Sequence, residues 1–338
     1  MKKSRRSGKV TLSDVAAAAG VSAITVSRAL RDSSTVSEGA LARIERAVAD
    51  LGYVPNVAAQ ALASNRTNII GAIIPSVTNN VFSDVLKGIY NAIEGTPYQL
   101  QLGNTRYTVL EEERLVRTFL SQRPAGLIVS GIDQSPATRE LLKTSGVPVV
   151  QIMETGPDPI DLMVGFSHRL AARAAVEHLI EAGYRRIAFL GARMDPRTQR
   201  RLLGYRDALG DAKIDEDLIM TTPRPSSVIL GGHLLGDLLA RRPDVDAVFC
   251  NNDDIALGAL FEAQRRNIAV PSGLGICGFN DLEYMEAATP SLTSVRTHRL
   301  QMGATAVELL ARAIEGNRPE ADVVDLGFDV TPRESTRR

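Results

Sequence analysis

From residue 69 onward, short apolar runs alternate with amphipathic helical stretches, and this alternation constrains the fold more than any other property of the chain. The runs lie at 69–75, 99–103, 126–131, 147–153, 162–166, 187–191, 247–251 and 275–279, with helical periodicity at 81–93, 111–120, 171–182, 201–209, 255–266 and 299–315. Runs without polar alternation read as strands buried on both faces. Such strands belong to parallel sheets covered by helices on either side. About 270 residues of this pattern exceed one open sheet, so two Rossmann-like lobes are expected. In such sheets ligands sit beyond the carboxyl ends of the strands, at the cleft. Those ends carry Ser76, Thr78, Asn79, Asn104, Ser130, Ser167, His168, Arg193, Asp195, Asn251–Asp254 and Asn280–Asp281. Hydroxyls, amides and carboxylates of this kind suit a polyhydroxylated ligand. Loops are polar for other reasons too, and Asn252-Asp253 could serve only to cap the helix that follows.

Several function classes fall away on composition. Aromatic residues make up 4% and Trp is absent, so the core must rest on Ala, Val, Ile and Leu. Cys250 and Cys277 sit inside apolar runs and read as buried free thiols, not as a disulfide or metal framework. The absence of an apolar N-terminal leader and of any run of about 18 apolar residues predicts a cytoplasmic protein with no membrane partner. Gly273-Leu-Gly-Ile-Cys-Gly278 matches a dinucleotide fingerprint, but its last glycine ends a strand instead of opening a helix. His168 and His178 have no metal-ligand spacing. No nucleophile motif, phosphate loop or paired catalytic carboxylates stand out, so no enzyme, cofactor or metal is expected.

The first 67 residues differ in kind. They carry ten Lys and Arg against five Asp and Glu, whereas the rest of the chain carries 29 against 34. A basic head on an acidic body is expected when only the head meets a polyanion, although a solvated basic tail would give the same count. Residues 11–51 read as three short helices. Thr11 with Asp14 forms a capping-box pair, Gly20 stops the first helix, Ser22 caps the second, Ser37 opens the third and Gly52 ends it. Val26, Ala29 and Leu30 form the inward stripe of the second helix, which leaves Ile24, Ser27 and Arg28 outward. Leu41, Ile44, Val48 and Leu51 face inward from the third. A helix, a glycine turn and a second short helix make a helix-turn-helix pattern. Taken by itself, the pattern also fits a plain three-helix bundle.

The residues settle more than the pattern. Val10-Thr-Leu-Ser-Asp-Val-Ala-Ala-Ala-Ala-Gly-Val-Ser22, Thr25-Val-Ser-Arg-Ala-Leu30 and Leu51-Gly-Tyr-Val-Pro-Asn56 resemble the LacI/GalR family of transcriptional regulators without a gap. The resemblance implies a DNA-binding set of Thr11, Ser22, Ala23, Ile24, Thr25, Ser27, Arg28, Tyr53, Asn56 and Leu62. Residues 23 and 24 would read operator sequence. As Ala and Ile they can meet only thymine methyls, whereas Arg28 can grip guanine bidentately. The Ala-rich stretch 56–64 is too short to hold a helix alone in water. By resemblance it is a hinge helix that pairs with its twin in the minor groove, with Leu62 as the wedge. One head covers one half-site, so a homodimer on a near-palindromic double-stranded operator is expected. No leucine heptad closes the chain, so nothing beyond a dimer is expected.

The body resembles the gluconate-operon repressors of the same family, through Pro75–Ile89, Val164–Phe166, Leu190–Arg193, Val248–Asp254 and Asp325–Phe328. This implies a two-lobed body like periplasmic sugar receptors, crossed three times, near 166–168, 294–296 and 321–323. The domains are then a head (1–55), a hinge (56–67) and a body (68–338). Lobe 1 is about 68–166 and 296–321; lobe 2 is about 167–294 and 322–338. By position the effector contacts fall on Ser76, Phe82, Arg197, Arg201, Asn252 and Asn280. Two guanidinium groups suit a carboxylate, so the expected effector is a sugar acid, gluconate or a ketogluconate. Ser167-His168 stands where many relatives have Asp-Asn, which touches the cleft.

Overall fold

The computed structural model describes residues 10–31, 33–54, 67–214 and 218–338, in two units that divide between Thr67 and Asn68. Residues 1–9 and 55–66, including Asn56 and Leu62, lie outside the described residues. In the head, α1 (Leu12–Ala19), α2 (Ala23–Arg31) and α3 (Glu38–Leu51) enclose Val15, Ala16, Ala19, Val26, Ala29, Ile44 and Ala47. Thr11 caps α1: its hydroxyl accepts the Asp14 amide at 3.3 Å, and the Asp14 carboxylate accepts the Thr11 amide at 2.8 Å. Gly20 turns the chain with φ +64°, a conformation that a β-carbon penalises, and lets the Val21 amide reach the Ala16 carbonyl at 3.1 Å. Leu51 departs from the expectation: it is 37% exposed, because the small core is already filled by Ala47 and Ile44 one and two turns earlier. Tyr53 packs against that core instead.

The body contains two six-stranded sheets. The first runs β11-β5-β4-β3-β1-β2, from β1 (Ile69–Ile74), β2 (Gln99–Asn104), β3 (Gly126–Ser130), β4 (Val149–Ile152), β5 (Leu162–Gly165) and β11 (Val323–Asp325). The second runs β12-β10-β9-β8-β6-β7, from β6 (Ile187–Ala192), β7 (Leu218–Thr222), β8 (Ala247–Cys250), β9 (Gly275–Asn280), β10 (Thr293–Arg296) and β12 (Asp329–Thr331). Pairing is parallel except for β12 against β10. β3, β4, β5, β6, β8 and β9 are buried throughout, as their uninterrupted apolar runs require. Cys250 and Cys277 are free buried thiols facing different cores on either side of the second sheet.

The chain leaves the first sheet after Gly165 and returns after Arg296, so Arg296 belongs with lobe 2. The third crossing corrects the sequence-based boundary. β11 pairs in register with β5, Val323 beside Met163 and Val324 beside Val164, so residues 323–325 belong to lobe 1. The chain crosses at 326–328, and only β12 joins lobe 2. Backbone pairing decides this, since a three-residue strand carries no hydrophobic run to announce it. In lobe 1, α4 (Val81–Ile93) crosses α12 (Arg299–Ile314) at two glycines. A β-carbon on Gly88 would meet the Leu300 carbonyl, and one on Gly303 the Val85 carbonyl. Among the described residues no helix is long and apolar enough to cross a membrane.

Candidate functional site

Two surfaces gather the predicted site residues. In the head, α2 turns its outer face to solvent, with Ile24 67% exposed and Arg28 exposed; Ala23, Thr25 and Ser27 are half-buried. Ser22 caps the helix by accepting the Thr25 amide at 3.1 Å, and Thr11 is committed to its capping box. Tyr53 belongs to the packing. Among the described side chains of α2, Arg28 and Ile24 thus form an exposed face on a helix held by the core behind it.

In the body, a cleft of about 240 Å³ opens between the carboxyl ends of the two sheets, and Ser76, Phe82, Arg197, Arg201, Asn252 and Asn280 all line it. Ser76 follows β1, where its hydroxyl accepts the Thr78 and Asn79 amides at 3.2 Å. Phe82 sits in the first turn of α4, 2% exposed. Arg197 and Arg201 project from α8 (Pro196–Asp211), which Asp195 caps by accepting the Thr198 amide at 2.9 Å. Asn252 caps α10 (Asp253–Arg265) through the Ile255 amide at 3.1 Å, and its side-chain nitrogen donates to Ser226 at 2.7 Å. Asn252 is therefore both a cap and part of the wall. Asn280 ends β9 at φ +114°, strained backbone for a residue with a side chain, and its Oδ1 is buried with no hydrogen-bond partner. Leaving a buried acceptor unpaired costs about 1–3 kcal/mol, a cost that a ligand hydroxyl would remove.

Arg201 dominates the electrostatics. It is 7% exposed, its Nε donates to His168 Nδ1 at 3.2 Å, and its Cζ lies 3.8 Å over the Phe279 ring. Its Nη1 donates to the Asn251 carbonyl. Among the described residues no carboxylate forms an ion pair with it. Burial lowers its pKa from 12.5 to about 10, Arg197 adding to the effect while Asp195 and Asp253 oppose it. It therefore stays charged at neutral pH, at a net cost of about 3 kcal/mol. Arg197 differs: its Nη2 lies 3.7 Å from Asp195, and Arg197 and the Thr198 amide hold that carboxyl below its usual range in spite of burial. Asp253 is fully buried, and burial raises its pKa to about 6 although Ser294 and the Leu282 amide donate to it.

Tyr107 and Ser226 also line the cleft without having been anticipated. Arg193 stacks over Tyr107 with its Cζ 3.8 Å from the ring centre, joining the two lobes across the cleft. Arg200 makes a second join, with two bonds to Asp133 at 2.9 and 2.5 Å. Tyr107 was legible in principle, three residues past the end of β2. Ser226 follows β7, an edge strand with too few apolar residues to be recognised. Among the described residues no group of His, Cys, Asp and Glu could hold a metal ion.

Comparison with known proteins places these surfaces in context. Residues 11–56 match the profile of bacterial regulatory proteins, lacI family, and residues 176–336 match a periplasmic binding protein-like domain. The HTH-type transcriptional regulator GntR of Pseudomonas aeruginosa is 42% identical over 99% of this chain and 98% of that protein. A solved LacI-family transcriptional regulator from Silicibacter pomeroyi superposes with a TM-score of 0.91 at 38% identity, covering 97% of this chain and all of that one. The lac repressor dimer, solved bound to operator and an anti-inducer, superposes with a TM-score of 0.84 at 26% identity, over 97% of this chain and 99% of that one.

Proposed function

Since this chain belongs to the lacI family of bacterial regulatory proteins, we propose that it is a transcriptional repressor whose grip on operator DNA is controlled by a sugar acid, gluconate or a ketogluconate, bound in the body's cleft. Arg201 carries the reading. A buried guanidinium without a carboxylate partner is costly by itself and is relieved by an anion. A neutral sugar would leave that charge unanswered. Asn280 Oδ1 and the loop hydroxyls of Ser76 and Thr78 supply the polar partners that a polyol tail needs.

On the DNA side, α2 enters the major groove as a homodimer's reader. Arg28 grips a guanine, Ala23 and Ile24 meet thymine methyls, and Thr25 and Ser27 contact backbone or base edges. Asn56 and Leu62 complete this reader as the hinge assigned from the sequence. The effector acts by favouring one arrangement of the two lobes, and it shifts operator affinity only as far as its own affinity differs between the two.

Titration of the full-length protein with gluconate, 2-ketogluconate and 5-ketogluconate, by calorimetry and by gel shift on DNA from its own promoter region, tests both halves. Binding of at least one acid and a change in operator affinity are expected. No heat and no shift from any acid at millimolar concentration overturns the effector assignment. Equal affinity for promoter and random DNA, even at low salt, overturns the regulator assignment.

A further inference from the structure

We propose that His168 is a positioning residue for the effector's acid group: it holds Arg201 as a hydrogen-bond acceptor, and so sets the cleft's preference for a carboxylate over a neutral ligand of the same shape. The proposal rests on the reading of Arg201 given above. His168 is fully buried at the start of α7 (His168–Glu181), directly after the first crossing between the sheets. Its ring lies 4.4 Å from Phe166 and 5.7 Å from Phe279, the same Phe279 on which Arg201 stacks. Its backbone amide donates to Glu154 Oε1 at 3.3 Å, which ties it to the end of β4 in the other lobe.

A guanidinium has no acceptor atoms. The 3.2 Å contact from Arg201 Nε to Nδ1 therefore requires a neutral imidazole with its proton on Nε2. Burial, reinforced by the charges of Arg201, Arg197 and Arg200, holds the ring well below the usual imidazole range against the opposing effect of the Met153 backbone, so the neutral form prevails at pH 7. With Nε given to His168 and one Nη1 proton to the Asn251 carbonyl, Arg201 keeps three N–H groups, one on Nη1 and two on Nη2, so that one from each terminal nitrogen can face a ligand. Those two form the end-on fork that matches a carboxylate. Without the imidazole acceptor the guanidinium can rotate about its stem and lose that aim, while Phe279 still holds it in place. Shape recognition survives this change, and charge recognition does not.

The test compares gluconate with gluconamide, which keeps the shape and loses the charge, by calorimetry on the full-length protein and its His168→Leu and His168→Asn variants. Leucine is expected to weaken gluconate at least tenfold and to leave gluconamide within threefold. Asparagine, whose Oδ1 can stand near the Nδ1 position, is expected to restore gluconate to within threefold of wild type. Equal losses for both ligands in the leucine variant, with no rescue by asparagine, reduce His168 to packing and overturn the proposal. So does gluconate binding at wild-type strength in the leucine variant. A wild-type protein that ignores every sugar acid overturns the effector assignment first, and this assignment falls with it.

Discussion

The head and the body place the side chains proposed to meet DNA and effector in opposite environments. Ile24 and Arg28 stand out from α2 into solvent, and the head's core of Val15, Val26, Ile44 and Ala47 does not depend on them. Arg201, His168, Asp253 and Asn280 are buried, and each is tied to the packing around it. An exposed reading surface can change without cost to the fold, which suits a helix that must match one DNA sequence among many. A buried ligand site is pre-ordered, which sharpens recognition but makes function and stability share the same residues.

The largest expected effect tests the body side of that contrast. Arg201→Leu should weaken sugar-acid binding by about a hundredfold or more in calorimetry. Because the charged guanidinium is held at a net cost, the melting temperature without ligand should hold or rise; a fall of many degrees would make Arg201 a structural residue first. Glu154→Gln comes next. Burial raises the Glu154 pKa from 4.5 to about 7, with Arg200 opposing. The folded state therefore retains a proton that the unfolded chain releases, and stability is lost as pH rises from about 4.5 to 7. The glutamine variant should be more stable than wild type at pH 8, by up to about 3 kcal/mol, and lack that pH dependence in denaturant melts.

On the head side, Arg28→Ala should cost about 1–3 kcal/mol of discrimination at one half-site position and change stability by less than about 0.5 kcal/mol. A large drop in melting temperature would break the contrast, and an equal loss on random DNA would make Arg28 a phosphate contact. Thr11→Ala should have the smallest effect, about 1 kcal/mol of head stability through the lost capping box. It should weaken all DNA binding alike. A change of preferred operator sequence would instead show Thr11 reading bases directly.

Legibility followed the range of the physics involved. The helix ends of the head were readable because caps are local: Thr11 with Asp14, Gly20 and Gly52 each act within a turn of their own position. The buried strands were readable because burial on both faces demands continuous apolar runs. β7, β10, β11 and β12 were not, since they are short or lie at or near sheet edges, and their pairing supplies what their sequences lack. Residues 323–325 were assigned to the wrong lobe for that reason. In the cleft, Ser76, Phe82, Arg197, Arg201, Asn252 and Asn280 came from the resemblance, and strand-end position pointed independently only to Ser76, Asn252 and Asn280. The place of His168 at the cleft was legible, but its contact with Arg201 was not, because it joins residues 33 positions apart in the chain.

The amino-acid sequence by itself determined the two-lobed parallel architecture, the helix-turn-helix head and the polar character of the cleft, because periodicity and capping are set by residues close together in the chain. Only the tertiary structure decided that Arg201 lies buried with no carboxylate partner among the described residues, that His168 faces it, and that β11 stays with the first sheet. Those facts depend on groups brought together from distant segments, where burial and pairing, not local preference, fix the energy.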